Sequence, residues 1–193
     1  MAFEKLNKDK KIILSSNSPR RKQLLQEAGL KFEIRTFPTN EDYPVNLKGR
    51  EISEFLVKKK AIPFNKIKKD EIIITADTIV WVQNEHLGKP KDTLEAKSFL
   101  EKISNKEHEV ITSVCFTEKE KQTIISESTL VFFKRISNNE INYYLKNFSF
   151  LDKAGGYGIQ DWIGIIGVKK IVGSYTNVIG LPVSQVLETI QKL

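Results

Sequence analysis

The stretch from Ile72 to Val82 limits the possible folds most, because it is almost entirely apolar and rich in β-branched residues. Such a run predicts a strand covered on both faces, which is typical of α/β proteins. One carboxylate, Asp77, interrupts it. A buried carboxylate is costly unless it is paired, hydrogen-bonded, metal-bound or placed at a strand end facing a cleft. An aspartate capping a turn between two strands is the alternative, but the apolar neighbours and the lack of an adjacent glycine favour a functional Asp77.

A serine-rich turn, Ser15–Arg21, separates a strand-like segment from a helical pattern that stops at Gly29. Ser18 fits an N-cap, and the proline after it fits the first helical position. Arg20 and Arg21 would then lie in the first turn of the helix, where the macrodipole disfavours cations. Serine hydroxyls, free N–H groups and two guanidinium groups together suit an anion such as phosphate. A solvated basic turn explains the same residues equally well.

The rest of the chain alternates between strand and helix patterns, in the order β-α-β-α-β-β-α-β-β-α-β-β-α. This order predicts an α/β fold with a mixed twisted β-sheet flanked by helices, in one domain or in two small lobes. Asp92 with Glu95, and Ser137 with Glu140, predict capping boxes at two helix starts. The other predicted segments are strands at 32–36, 110–116 and 123–133 and helices from about 47 to 64 and from 183 onward.

The composition changes near residue 152, because seven of the ten glycines lie between Gly155 and Gly180. The segment Asp152–Gln160 predicts a loop whose backbone can approach a ligand closely. Gln160 carries both a donor and an acceptor, as recognition of a nucleobase edge requires. A flexible connector is the alternative.

Composition removes several classes of function. No apolar run approaches the ~20 residues of a membrane span, and polar residues 1–11 predict no signal peptide. The single cysteine, Cys115, fits a reducing cytoplasm and a buried core thiol, and His86 and His108 lack zinc-ligand spacing. Neither GxGxxG nor GxxxxGKS occurs. The net charge of +7 permits anionic partners, but the lysines are not interleaved with aromatic residues, so nucleic acid is not the favoured partner.

Four separated motifs resemble those of the Maf family of nucleoside triphosphate pyrophosphatases in order and spacing. They are Ser16–Arg21, Ala76–Thr78, Gly88–Pro90 with Asp92, and Asp152–Gln160. The resemblance spans about residues 12–182 and implies a single Maf-like domain over residues 1–193, with a central cleft as in ITPase-like folds. It also implies hydrolysis between the α and β phosphates, assisted by a divalent cation such as Mg²⁺ or Mn²⁺. Tyr157–Gln160 and Gly173–Tyr175 resemble the subgroup that acts on dTTP and UTP.

The resemblance also implies roles for individual residues. Asp77 would be the proton acceptor that activates water, and Glu41 with Asp77 would bind the metal. Arg20, Thr78 and Gln160 match the specificity positions, and Ser16, Arg20, Lys60 and Lys89 match positions that hold phosphates. The family further implies a homodimer and a role in clearing non-standard nucleotides, and the single cysteine predicts a cytoplasmic location.

Two departures from the family pattern bear on the site. Asn40–Glu41 stands where an acidic pair is usual, and Asp161–Gly164 replaces the usual glycine-rich continuation after Gln160, which could narrow or redirect the base pocket.

Three other interpretations stay open. They are a pyrophosphatase for 7-methyl-GTP or another modified nucleotide, a non-enzymatic regulator of cell division (a septum formation inhibitor) that binds nucleotide or nucleic acid, and a structural protein with a vestigial pocket.

Overall fold

The computed structural model describes residues 10–64 and 66–193, so most of the segment considered for a signal peptide, residues 1–9, lies outside the described residues. In chain order the elements are β1 (Lys11–Ser15), α1 (Pro19–Glu27), β2 (Glu33–Ile34), α2 (Arg50–Ala61), β3 (Glu71–Val82), β4 (Glu85–Leu87), α3 (Thr93–Ile103), β5 (Glu107–Thr117), β6 (Gln122–Phe133), α4 (Asn138–Asn147), α5 (Trp162–Gly167), β7 (Val168–Val172), α6 (Tyr175–Ile179) and α7 (Val183–Lys192).

The strands form one mixed sheet in the order β2-β1-β3-β5-β6-β7, with β4 paired to β3. β1 is parallel to β2 and β3, whereas β4 is antiparallel to β3 and β7 is antiparallel to β6. The predicted α/β class with a mixed sheet is therefore confirmed. The chain divides into two compact units, and β3, β5 and β6 each contribute residues to both.

The first unit contains the described part of Met1–Asp77 together with Thr112–Glu127 and Gly180–Leu193. Alternate residues of its parallel strands face opposite sides of the sheet. Leu14 and Ile74 pack in one apolar cluster with α1 and α7, whereas Ile13 and Ile73 pack in another with Phe64. The apolar run is thus covered on both faces, as predicted. Cys115 is also buried, as predicted.

The second unit contains Thr78–Ile111 and Ser128–Ile179. Its core gathers one face of α3 and one face of α4 with residues of four strands (β3, β4, β5 and β6) and with α5. The apolar spacing in the sequence predicts the α3 face correctly, because the four predicted residues are all buried there: Ala96, Phe99, Leu100 and Ile103.

The N-terminal caps of the helices show which contacts can be predicted from neighbouring residues in the sequence. Ser18 caps α1, and Ser137 with Glu140 forms a complete capping box on α4, as predicted. The Asp92 box is incomplete, because Glu95 Oε2 accepts from the N–H of Lys91 at 2.6 Å instead of the N–H of Asp92.

The strand predicted over Ile72–Val82 is confirmed, whereas the boundaries predicted for α2 and β2 are wrong. β3 is one continuous strand, so the alternative of a turn at Asp77 is excluded. α2 begins at Arg50, because Gly49 before it has φ +49°, which a helix does not accommodate. β2 has only two residues, whereas five were predicted.

The region between α4 and α7 differs most from its prediction. Two strands were expected there, but β7 is the only strand that the structure describes in residues 148–182, and a 3₁₀ turn (Ala154–Gly156) and α5 precede it. Gly155 and Gly156 have φ of +69° and +72°, which removes them from extended geometry. Closely spaced glycines leave no periodic pattern from which such a path could be predicted.

Candidate active site

The serine-rich turn is organised by its own serines. Ser18 Oγ accepts from the N–H of Arg21 at 3.4 Å and so caps α1, and Ser16 Oγ accepts from the N–H of Ser18 at 3.2 Å. Ser16 and Arg20 are half-buried. The strand, turn and helix N-terminus predicted from the sequence are therefore present, in the arrangement that suits anion binding.

Arg21 binds backbone groups of two other segments in the first unit. Its Nε donates to the carbonyl of Gly180 at 2.8 Å, and one terminal nitrogen donates to the carbonyl of Ala76 at 2.9 Å. Burial lowers the pKa of this guanidinium, and the nearby charge of Asp77 opposes the shift. Arg21 therefore fixes the backbone immediately before Asp77.

Glu41, Lys60 and Asp77 form an ion-pair cluster from three separate parts of the first unit. Lys60 Nζ lies 2.6 Å from Asp77 Oδ1 and 2.9 Å from Glu41 Oε1. The side chains of Asp77 and Lys60 are 9% and 16% exposed, whereas that of Glu41 is 44% exposed. The carboxylate within the apolar strand is thus paired with a cation, which is one of the conditions under which a buried carboxylate is tolerated.

Local features explain how this cluster forms. Lys59 and Lys60 lie in the last turn of α2, where the helix dipole favours cations. Lys59 Nζ donates to the carbonyl of Asp42 at 2.7 Å, and Asn40 Oδ1 accepts from the N–H of Asp42 at 2.8 Å. The two lysines therefore hold the loop that presents Glu41, and Asn40 stabilises that loop instead of adding a second acidic group.

The second unit carries the other predicted site residues. Lys89 is exposed and lies just after β4, and Thr78 is half-buried on β3. The carbonyl of Gly88 accepts from the N–H of Gly155 at 2.9 Å. The segment that presents Lys89 is thus joined to the glycine-rich loop that presents the exposed Gln160.

The glycine-rich loop is tightly packed, so the alternative of a flexible connector is wrong. A Cβ on Gly155 would lie 2.9 Å from Val80 Cγ2, and a Cβ on Gly164, in the α5 helix that follows the loop, would overlap the carbonyl oxygen of Ile159. Both glycines are required because the backbone approaches its neighbours more closely than any side chain permits.

A buried histidine anchors the same loop. His108 Nε2 lies 2.7 Å from the hydroxyl of Tyr157, and the two rings meet edge to face with centroids 5.4 Å apart. Burial lowers the pKa of His108 to about 3 and raises that of Tyr157, so both side chains are neutral near pH 7. Sequence spacing excluded His108 as a zinc ligand and gave no sign of this role.

Comparisons with known proteins place the chain in a family. The sequence profile of the family described as "Maf-like protein" matches residues 11–193. The chain belongs to the Maf family. It is 50% identical over 177 residues to a dTTP/UTP pyrophosphatase of Flavobacterium psychrophilum, covering 91% of each chain, and 48% identical over 194 residues to one of Flavobacterium johnsoniae, covering all of both. A HAM1 protein from Coxiella burnetii shares the fold at a TM-score of 0.51 and 12% identity, over 95% of this chain and all of that one.

The predicted site residues of this Maf chain thus fall into two groups. The structure brings Glu41, Lys60 and Asp77 into direct contact, and it places Ser16 beside Arg21 at the start of α1. Lys89, Thr78 and Gln160 belong to the second unit. Their roles toward substrate stay predictions.

The two carboxylates of the cluster fit a divalent cation whose remaining coordination positions would be filled by substrate and water. Glu41 and Asp77 already share one cation, the ammonium of Lys60. No group of three or more His, Cys, Asp or Glu side chains that could hold a metal occurs within residues 10–64 and 66–193. Mg²⁺ is commonly bound by one or two carboxylates, with water and substrate phosphates filling its other positions. The donor set of this Maf chain matches that pattern.

Arg21 is a residue whose role the sequence did not indicate. Its adjacency to Arg20 predicted two guanidinium groups for one anion, whereas the structure shows Arg21 bound to backbone carbonyls. An arginine in the first turn of a helix indicates that it has a binding partner, but it does not indicate which group that partner is.

Among the described helices, none is long and apolar enough to span a membrane.

Proposed function

We propose that this Maf chain is a nucleoside triphosphate pyrophosphatase that hydrolyses dTTP and UTP to the nucleoside monophosphate and pyrophosphate. The observation that carries the proposal is the ion-pair cluster of Glu41, Lys60 and Asp77, together with Arg21, which fixes the backbone immediately before Asp77. The names of its relatives, 50% and 48% identical, supply the substrates.

In the proposed reaction, a water oxygen attacks the α-phosphorus and Asp77 accepts a proton from that water. A new P–O bond forms, the bond between the α-phosphorus and the bridging oxygen breaks, and pyrophosphate leaves with the bonding electrons. Lys60 holds the Asp77 carboxylate in place and adds positive charge where negative charge accumulates. By resemblance to the family, Ser16, Arg20 and Lys89 would contact the phosphates.

An aspartate is a weak base at neutral pH, since its ordinary pKa is about 4. A divalent cation bound by Glu41 and Asp77 would supply Lewis-acid activation of the water and charge neutralisation on the phosphates. Thr78 and Gln160 would contact the nucleoside, and the packed loop around Gln160 supports a defined position for its amide.

The test is incubation with Mg²⁺ and a panel that contains dTTP, UTP, the other standard triphosphates and 7-methyl-GTP, in water enriched in ¹⁸O. We expect pyrophosphate release, preference for dTTP and UTP, and ¹⁸O in the monophosphate. Label in the pyrophosphate would overturn attack at the α-phosphorus, and a preference for 7-methyl-GTP would identify the other subgroup. Salt-dependent DNA binding without pyrophosphate release would favour the regulator of cell division.

The homodimer and the metal requirement are part of the same proposal. Sedimentation velocity should give a mass of two chains. Activity should disappear with a chelator and return with Mg²⁺ or Mn²⁺.

A further inference from the structure

Gln160 lies in a tight turn whose two ends are tied to one another. The N–H of Asp161 donates to the carbonyl of Gly158 at 3.1 Å, so Gln160 is the third residue of a four-residue turn. Its side chain is exposed, whereas Gly158 and Ile159 before it are buried. The direction of the Gln160 amide therefore depends on what holds the ends of this turn.

Tyr144 holds both ends with one hydroxyl group. Its side chain is fully buried on α4, and its hydroxyl accepts a hydrogen bond from the N–H of Gly158 and lies 3.5 Å from Asp161 Oδ2. Burial first, and the charge of Asp161 second, raise the pKa of Tyr144, so the hydroxyl stays protonated and donates toward the carboxylate.

Lys153 holds Asp161 from the other side. Its Nζ lies 3.4 Å from Asp161 Oδ2, and it also contacts the carbonyl of Ser149 at 2.7 Å and Asp152 Oδ1 at 2.9 Å. The Lys153 side chain is only 9% exposed. A nearly buried ammonium needs such partners, so its position is well defined and it fixes the carboxylate that it contacts.

The Asp161 side chain does not serve the helix that follows it. Asp161 occupies the N-cap position of α5, where aspartate ordinarily accepts from the helix N–H groups, but it makes no such capping bond. Its carboxylate instead lies over Gly158, so closely that a Cβ on that glycine would be 2.5 Å from Oδ2. The Asp161 side chain therefore packs on the turn that contains Gln160 instead of capping α5.

We propose that Asp161 is a positioning residue for base selection, which, through Tyr144 and Lys153, sets the turn that presents Gln160. This inference rests on the proposed function, because it assigns Asp161 to the base-reading part of that site. Asp161 touches neither the phosphates nor the water in this scheme, so its effect falls on discrimination between nucleotides more than on the chemical step.

The test compares Asp161→Ala with Asp152→Asn, which alters the other carboxylate on Lys153 and leaves the turn untouched. The ratio of kcat/KM for dTTP to that for dCTP is measured for each, with Tm as a measure of folding. We expect Asp161→Ala to lower the ratio about tenfold, mainly through a higher KM for dTTP, because small misplacements of a contact group have effects of this size. Asp152→Asn should leave the ratio unchanged.

Asp161→Asn and Tyr144→Phe provide the same test should the alanine variant fold poorly. Both should lower the ratio, since one removes the charge that Lys153 binds and the other removes the hydroxyl. A fall in Tm with equal loss of activity on every nucleotide would mean a purely structural role and would overturn the inference. The inference would also be overturned if the wild-type enzyme releases pyrophosphate and the variants keep the wild-type ratio of kcat/KM for dTTP to that for dCTP. A wild-type protein inert on the whole panel would overturn the proposed function, and this inference with it.

Discussion

Two lysines in this molecule each contact two carboxylates, and they differ in where those carboxylates come from. Lys60 joins Glu41 to Asp77, from segments far apart in the sequence, whereas Lys153 joins Asp152 to Asp161 within one loop. The exposures are similar, with side chains of 16% and 9% for the lysines and 44% and 46% for the more exposed carboxylates. The two charge arrangements are therefore alike, although we propose a different purpose for each.

Asp77 and Asp161 differ in the positions that they occupy in the fold. Asp77 occupies the middle of an apolar strand, where the fold itself has no need of a charge. Asp161 begins a helix, where an aspartate is common in any protein. A carboxylate in a position unsuited to it is thus a stronger sign of chemistry than an ion pair is.

The same substitution at the two carboxylates should separate the two purposes most clearly. Asp77→Asn keeps the shape and removes the proton acceptor, so we expect kcat to fall about 10²-fold or more. Asp161→Asn should change kcat for dTTP less than about twofold, because the group only positions the turn. Steady-state kinetics on both variants measures this difference. A purified Asp77→Asn enzyme with near-wild-type turnover would contradict the role of Asp77.

Replacing each lysine by methionine extends the comparison. Lys60→Met removes a charged hydrogen bond to Asp77, so we expect kcat/KM to fall about 10- to 100-fold. Lys153→Met leaves two partly exposed carboxylates without their cation, and the free energy of unfolding should fall by about 1–2 kcal/mol with a smaller change in rate. Pyrophosphate release and urea unfolding of both variants distinguish these outcomes. Equal effects on rate would show that the two clusters do not differ in purpose.

The sequence predicted the parts of these regions that depend on neighbouring residues. The N-cap at Ser18 follows from a few adjacent positions, and the candidate role of Asp77 follows from the cost of a charge in an apolar run. The pairing of Asp77 with Lys60 depends on how α2 packs on the sheet, which no local pattern specifies. The resemblance to a family named Lys60 as a phosphate ligand, but its contact with Asp77 appears only in the structure.

The glycine-rich loop could not be predicted for a different reason. Its path is set by close backbone approach at Gly155 and Gly164 and by the bond between His108 and Tyr157. Glycines have no side chain whose period could reveal the path, and the histidine comes from a strand about 50 residues earlier in the sequence. Long-range packing therefore determines the path of this loop.

The dependence of the loop on neutral groups predicts its response to acid. The pKa of His108 is about 3 in the folded protein and about 6.5 in an unfolded chain, so below pH 6.5 the unfolded state binds the extra proton. Stability is therefore full above pH 6.5 and falls by about 1.4 kcal/mol per pH unit below it. Urea unfolding at pH 7.5 and 5.5 should show about 1.4 kcal/mol more loss for wild type than for His108→Gln. Equal losses would mean that His108 is protonated in the folded protein.

The smallest effect on folding is expected at the two exposed carboxylates, Glu41 and Asp152, whose side chains are 44% and 46% exposed. Exposed ion pairs contribute about 0–1 kcal/mol, so Glu41→Gln and Asp152→Asn should each change the free energy of unfolding by less than about 0.5 kcal/mol. Only Glu41→Gln should raise the Mg²⁺ concentration for half-maximal activity, by about tenfold, because it alone removes a proposed metal ligand. Titration of activity with Mg²⁺ measures this shift. An unchanged half-maximal concentration would mean that Glu41 is an ion-pair partner and not a metal ligand, and it would place the metal on Asp77 and the substrate phosphates.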